Sequence, residues 1–140
     1  MNGIIIDPEA REIYPVSLLT PHDYKVVARI IGARIITPGA VFDNEDTIYC
    51  DDESLLAEDR PIHVFTVRLG DEDYHLNSKA LVLGTTEDGD FASPQSTINE
   101  IKDRIKFLGP KLCTIVPFEE WQGQTYVIGS KAEFRDIPGA

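Results

Sequence analysis

The sequence has no stretch approaching about 18 consecutive apolar residues, so it offers no membrane-spanning helix. Its opening residues lack the cationic and then apolar profile of a secretory signal, because Gly3-Ile4-Ile5-Ile6 runs straight into Asp7. A cytoplasmic protein is expected. Cysteine is scarce: Cys50 and Cys113 show neither a CxxC spacing nor a disulfide-framework pattern, which fits a reducing compartment and predicts two small buried side chains. Basic residues are the minority charge, 13 against 24 acidic ones, for a formal net charge of -11 and a pI near 4.5. Such a chain repels phosphate backbones, so direct nucleic-acid binding is not expected. Also missing are a glycine-rich phosphate loop, a GxSxG elbow and an HExxH helix, and with them the strong enzyme signatures.

What is present is enough apolar material, 42% of 140 residues, to fold one core of ordinary domain size. Ile4 to Ile6 and Glu12 to Val16, joined by the turn-rich Asp7-Pro8-Glu9-Ala10-Arg11, predict a hairpin. Thr20-Pro21-His22-Asp23 reads as a helix start, and Tyr24, Val27, Ile30 and Ile31 recur at helical spacing up to a capping Gly32, so a helix is predicted over Pro21 to Ile31. Further strands are expected at Arg34 to Thr37, Asp46 to Cys50, Ile62 to Leu69 and Tyr74 to Leu76. The continuously apolar Ala80 to Gly84 is expected to be central. Thr85 to Ser93 reads as a loop. Thr97 begins a second helix, running to Phe107, with an Ile98, Ile101, Ile105 and Leu108 stripe, before Gly109-Pro110 ends it. Leu112 to Val116, Thr125 to Ile128 and Ala132 to Phe134 supply the last short strands. The fold class that follows is α+β: a largely antiparallel sheet of short strands with two helices packed on it, in a single globular domain over 1–140.

The candidate protein-binding residues are Asp43, Glu45, Asp46, Asp51, Asp52 and Glu53, in a segment running to Glu58 and Asp59 without a basic residue. Calcium or magnesium would take such carboxylates, but the alternating ligands and central glycine of a calcium loop are missing, so a solvated, charge-protected edge is the simpler reading. His22 falls in a first helical turn, where a protonated imidazole would oppose the dipole. His63 and His75 each precede a hydroxyl by three positions. If 62 to 69 pairs with 74 to 83, His75 sits near Arg68 and His63 near Ala80, so the imidazoles do not converge. Cys50, Cys113, His63 and His75 lack the close ligand pairs of structural zinc. No metal and no cofactor are expected. Trp121, in a polar stretch, is expected to cover the edge of the core.

Several segments in order resemble the domain of unknown function 3846 family of small bacterial and phage proteins. They are Ile5-Ile6-Asp7-Pro8 with Glu12-Ile13, Asp23-Tyr24 leading to Ile30-Ile31-Gly32, and Asp46 to Leu56. Leu76-Asn77-Ser78-Lys79-Ala80 with Leu81 to Thr85 and the acidic Glu87-Asp88-Gly89-Asp90 complete the order. The resemblance covers residues 3 to 108 and leaves 109–140 as an extension; Ser54 stands where glycine often follows the acidic run. It implies a phage, prophage or mobile-element setting and carries over no catalytic residue.

Small size, acidity and the lack of a catalytic constellation point to a non-enzymatic accessory protein that binds another protein through a basic surface of that partner, with nucleic-acid mimicry as a specific version. The alternative is a small-ligand or nucleotide-processing enzyme using His63 or His75 with nearby carboxylates.

Overall fold

The computed structural model describes residues 1–18, 24–54 and 60–138. In chain order the elements are β1 (Asn2–Asp7), β2 (Glu12–Ser17), α1 (Tyr24–Ile31), β3 (Ile36–Val41), β4 (Thr47–Asp51), β5 (Ile62–Leu69) and β6 (Glu72–Asn77). They continue with β7 (Ala80–Thr85), β8 (Phe91–Ala92), α2 (Ile98–Arg104), β9 (Ile105–Gln122) and β10 (Thr125–Arg135). The fold is α+β, and every described strand pair is antiparallel.

The strands form two sheets rather than one. The first runs β2-β1-β7-β4-β3, with β8 added to β7; the second runs β10-β9-β5-β6. The period-two alternation of strand side chains explains how they stack. Ile4 and Ile6 of β1, Ala80 and Val82 of β7, and Ile48 and Cys50 of β4 meet Phe65 and Val67 of β5 in the main core between the sheets. Ile5 of β1 and Leu81 and Leu83 of β7 point the other way, onto Val27 and Ile31 of α1. Strands β1 and β7 are thus covered on both faces, which is why they read as unbroken apolar runs.

Helix α1 ends where Gly32 adopts φ +72. Ala33 N–H donates to the Ala28 carbonyl and Gly32 N–H to that of Arg29, a Schellman closure that satisfies two terminal carbonyls. The start of this helix expected at Thr20 to Asp23, with His22, lies outside the described residues, as do Glu58 and Asp59. Helix α2 begins on a capping box: Glu100 N–H donates to Thr97 Oγ1 at 3.2 Å, and Thr97 N–H to Glu100 Oε1 at 3.1 Å.

Part of the loop expected at 85 to 93 is strand, since β7 reaches Thr85 and β8 is Phe91–Ala92, and three further expectations change. Helix α2 stops at Arg104, and Ile105 to Phe107 are strand, paired with Val67 to Phe65. Once Ile105 and Phe107 can both join the main core at strand spacing and gain a ladder, the helical stripe holds only for Ile98 and Ile101, while Leu108 joins a separate cluster with Ile62 and Val64. Gly109-Pro110 does not stop a helix. It forms a bulge, with Val64 opposite Gly109 and Phe65 opposite Phe107, and Gly109 at φ +84 supplies the left-handed backbone this requires. Second, the separate strands expected at 74 to 76 and 80 to 84 form, but the conditional pairing of 62 to 69 with 74 to 83 holds only as far as Asn77. The chain breaks at Ser78, φ 64, and β7 crosses into the other sheet. Third, the last strands are long: β9 spans 18 residues and β10 spans 11, paired from Leu112↔Arg135 to Gln122↔Thr125.

Candidate functional site

Asp46 is the most constrained of the acidic residues. It has no exposed surface, and its carboxylate accepts from Gln95 N–H at 3.0 Å, Ser96 N–H at 2.7 Å and the Asn44 side-chain amide at 3.3 Å. Asn44 in turn accepts from Asp46 N–H and donates to Ser96 Oγ. A carboxylate accepting several N–H bonds offsets its own desolvation. This network ties the β3–β4 turn to the segment that leads into α2. Gly84 lies beside it: a Cβ there would come within 2.5 Å of the Ser93 carbonyl oxygen and 3.3 Å of Asp46 Oδ1. Asp46 therefore belongs to the fold rather than to a binding face, which corrects its place among the expected surface residues.

The remaining expected residues divide between the two ends of β4, which are ~13 Å of strand apart. At one end, Asp51 Oδ1 accepts from Glu53 N–H at 2.9 Å, and Glu53 takes a two-pronged contact from Arg34, Nε at 2.8 Å and Nη2 at 2.7 Å. The hydrogen bond from Arg34 holds the Glu53 carboxyl below its ordinary range, and the same pairing raises the Arg34 value. Because the folded value is depressed, this contribution is present at neutral pH and fades as pH falls through the carboxylate range. Asp52 is exposed beside them.

At the other end lie Asp43 and Glu45, both exposed, in the turn before β4. Thr47 pairs with Leu83, so the loop that follows β7 leaves the sheet at this same end, and it carries exposed Glu87, Asp88 and Asp90. The two loops therefore flank neighbouring strands of the sheet, whose axes lie ~4.8 Å apart. Five carboxylates, from two segments more than forty positions apart, thus share one end of the first sheet, and neither loop contains a basic residue. Sequence reading noted both acidic runs but had no means of joining them.

The histidines separate, and neither lies where the simple hairpin register placed it. His75 faces Thr66 across the β5–β6 ladder instead of Arg68, and its ring stacks on Phe134 at 5.9 Å. His63 accepts through its carbonyl from Ser78 N–H, while Ala80 belongs to the other sheet. His63 opens onto a cavity of about 270 Å³ shared with Asp7, Glu9, Ser78 and Lys79, and His75 onto one of about 260 Å³ shared with Asp51, Asp52 and Ser54. Among the described residues neither imidazole hydrogen-bonds a carboxylate, and no three His, Cys, Asp or Glu side chains converge as metal ligands do.

Both cysteines are buried, as expected, and neither forms a disulfide. Burial pushes the Cys50 thiol up to about 12, with the Asp51 charge adding to it. At pH 8 Cys50 is then held almost entirely as the neutral thiol. Iodoacetamide should leave Cys50 of the native protein unmodified over the time in which guanidinium-unfolded protein reacts fully. Rapid native labelling of Cys50, located by mass spectrometry, would refute this. Since the unfolded thiol ionises first, stability should also fall as pH rises from about 9 towards 12. Trp121, by contrast, does not cover the core: it is 67% exposed, near the end of the β9–β10 hairpin.

No helix among the described residues is long and apolar enough to cross a membrane. No curated protein and no solved structure matches the chain. The model of the family described as Domain of unknown function (DUF3846) matches residues 1–106, a span that holds both acidic loops, the Asp46 network and both helices and stops within β9. The chain therefore belongs to the DUF3846 family.

Proposed function

We propose that this is a non-enzymatic accessory protein, of a phage or mobile-element setting, that binds a basic surface on another protein through the acidic end of its first sheet. The observation that carries the reading is the placement of exposed Asp43 and Glu45 and of exposed Glu87, Asp88 and Asp90 at that same end. Carboxylates presented together from two turns attract a lysine- and arginine-rich groove as a phosphate backbone does, and so act as a nucleic-acid mimic. The net charge of -11 adds long-range steering to the local contact.

The test is affinity capture from bacterial lysate at low and moderate salt with three proteins. They are the wild type, a variant neutralised at the acidic end (Asp43→Asn, Glu45→Gln, Glu87→Gln, Asp88→Asn, Asp90→Asn), and a variant neutralised at the far end of β4 (Asp51→Asn, Asp52→Asn, Glu53→Gln). A basic partner should be retained by the wild type and released as salt screens charges over ~8–10 Å. With the isolated partner, the five-site variant should associate at least about tenfold more slowly while unfolding at nearly the same temperature, because exposed charges contribute little to stability. A smaller loss is expected from the three-site variant, whose Glu53 is already engaged by Arg34. Unchanged binding by the five-site variant would reject the acidic end as the contact surface.

A further inference from the structure

The two sheets leave a cleft open on the side where β2 and the first third of β9 approach each other. Among the described residues β2 pairs only with β1, and Ile105 to Lys111 of β9 pairs only with β5, so each presents an unpaired edge. Between these edges and α2 lies a cavity of about 480 Å³ walled by Ile13, Tyr14, Ile105 and Phe107. Ile13, Ile105 and Phe107 are the half-buried rim of the main core, so the cavity is a mouth of the apolar layer between the sheets. Its volume falls in the ~300–1,000 Å³ range of small-molecule sites.

The rim is cationic in a chain that is otherwise acidic. Arg11 and Lys102 both line the cleft, with Glu12 as the opposing charge. Neither cation takes part in an ion pair among the described residues, whereas Arg34, Arg68, Lys79 and Lys111 do. Arg11 is also held there by backbone geometry. It adopts φ 57, an unfavourable region for an arginine, and its guanidinium lies against Gly109, where any Cβ would come within 3.1 Å of Nη2. The bulge glycine on β9 thus makes room for a side chain from the β1–β2 turn to reach across the mouth.

Pro15 argues against a peptide strand filling the gap. Proline has no N–H to donate, and it occurs within sheets on edges that are not extended by a further strand. A compact ligand suits the site better. We propose that this cleft binds a small organic anion with an apolar body, a medium-chain or aromatic carboxylate, its charge between Arg11 and Lys102 and its body against Ile13, Ile105 and Phe107. The site is separate from the acidic end and stands or falls independently of the partner-binding reading.

The experiment is an NMR titration of the full isotope-labelled chain with sodium octanoate and, in parallel, with 1-octanol. Octanoate should give saturable amide shifts centred on residues 11–14 and 102–107, and octanol, which lacks the charge, should bind about tenfold more weakly or worse. Arg11→Gly suits the left-handed backbone at that position, and Lys102→Gln alters an exposed helical side chain, so both variants should fold. Together they should weaken octanoate about tenfold or more and leave octanol unchanged, while Arg60→Ala, away from the cleft, should alter neither. Absent or non-saturating shifts, shifts centred on another surface, equal binding of octanol, or octanoate affinity unmoved by the double variant would each overturn the proposal.

Discussion

Asp46→Ala should cost about 3 kcal/mol of folding stability, a large effect for the removal of one small polar side chain. The carboxylate is fully buried and accepts the backbone N–H groups of Gln95 and Ser96, which lie some fifty positions away along the chain. Truncation orphans both backbone donors, while the Asn44 amide keeps its bond to Ser96 Oγ, and a buried donor without a partner costs ~1–3 kcal/mol. Asp46→Asn keeps the shape but turns one oxygen into a donor that faces another donor, so it should also destabilise. Gly84→Ala should act on the same junction by steric means, since its Cβ would meet the Ser93 carbonyl at 2.5 Å. Urea denaturation measures all three. A loss below about 1 kcal/mol for Asp46→Ala would mean that the turn and the pre-helix segment do not depend on this carboxylate.

Ile101→Ala should be of comparable size, about 2–5 kcal/mol. Ile101 is fully buried in the main core with Phe65 and Val67 of one sheet and Ile4 and Ile6 of the other, and α2 is only seven residues long. So short a helix is marginal in isolation and depends on packing and its capping box. Removing three carbons here therefore both opens a cavity and loosens the helix. Ile101→Val should cost much less, about 0.5–1.5 kcal/mol. Denaturation showing a loss under about 0.5 kcal/mol for Ile101→Ala would place the side chain at the surface, against the packing described.

Both predictions concern α2, where reading of the sequence went partly right. The Thr97-Ile98-Asn99-Glu100 start and the inward face of Ile98 and Ile101 follow from local chemistry, because a capping box and a one-turn stripe involve only residues within reach of one another. The end of the helix did not follow, since Ile105 fits both a helical and a strand period, and only the partner strand β5 resolves that choice. The histidine register failed for a related reason. The turn between β5 and β6 is closed by Gly70 and Asp71, with Leu69 opposite Glu72, rather than by Gly70 to Asp73, which moves His75 from Arg68 to Thr66; the break at Ser78 then sends Ala80 into the other sheet.

For the candidate sites the division is similar. Composition and local pattern determined the strong acidity, the cysteines unsuited to a disulfide framework, and the α+β class with antiparallel strands, since each depends on residue content or on periodicity within one segment. The family was legible because it rests on the order of short segments. Only the tertiary structure decided which carboxylates face solvent together. It buried Asp46, gave Glu53 an arginine partner from nineteen positions away, and put Asp43 and Glu45 at the same end of the sheet as the 87–90 loop. It likewise brought Arg11 and Lys102 to one apolar cleft. These are contacts between segments far apart in the chain, and their existence depends on which strands pair, a choice made by burial of the whole core rather than by any run of residues within it.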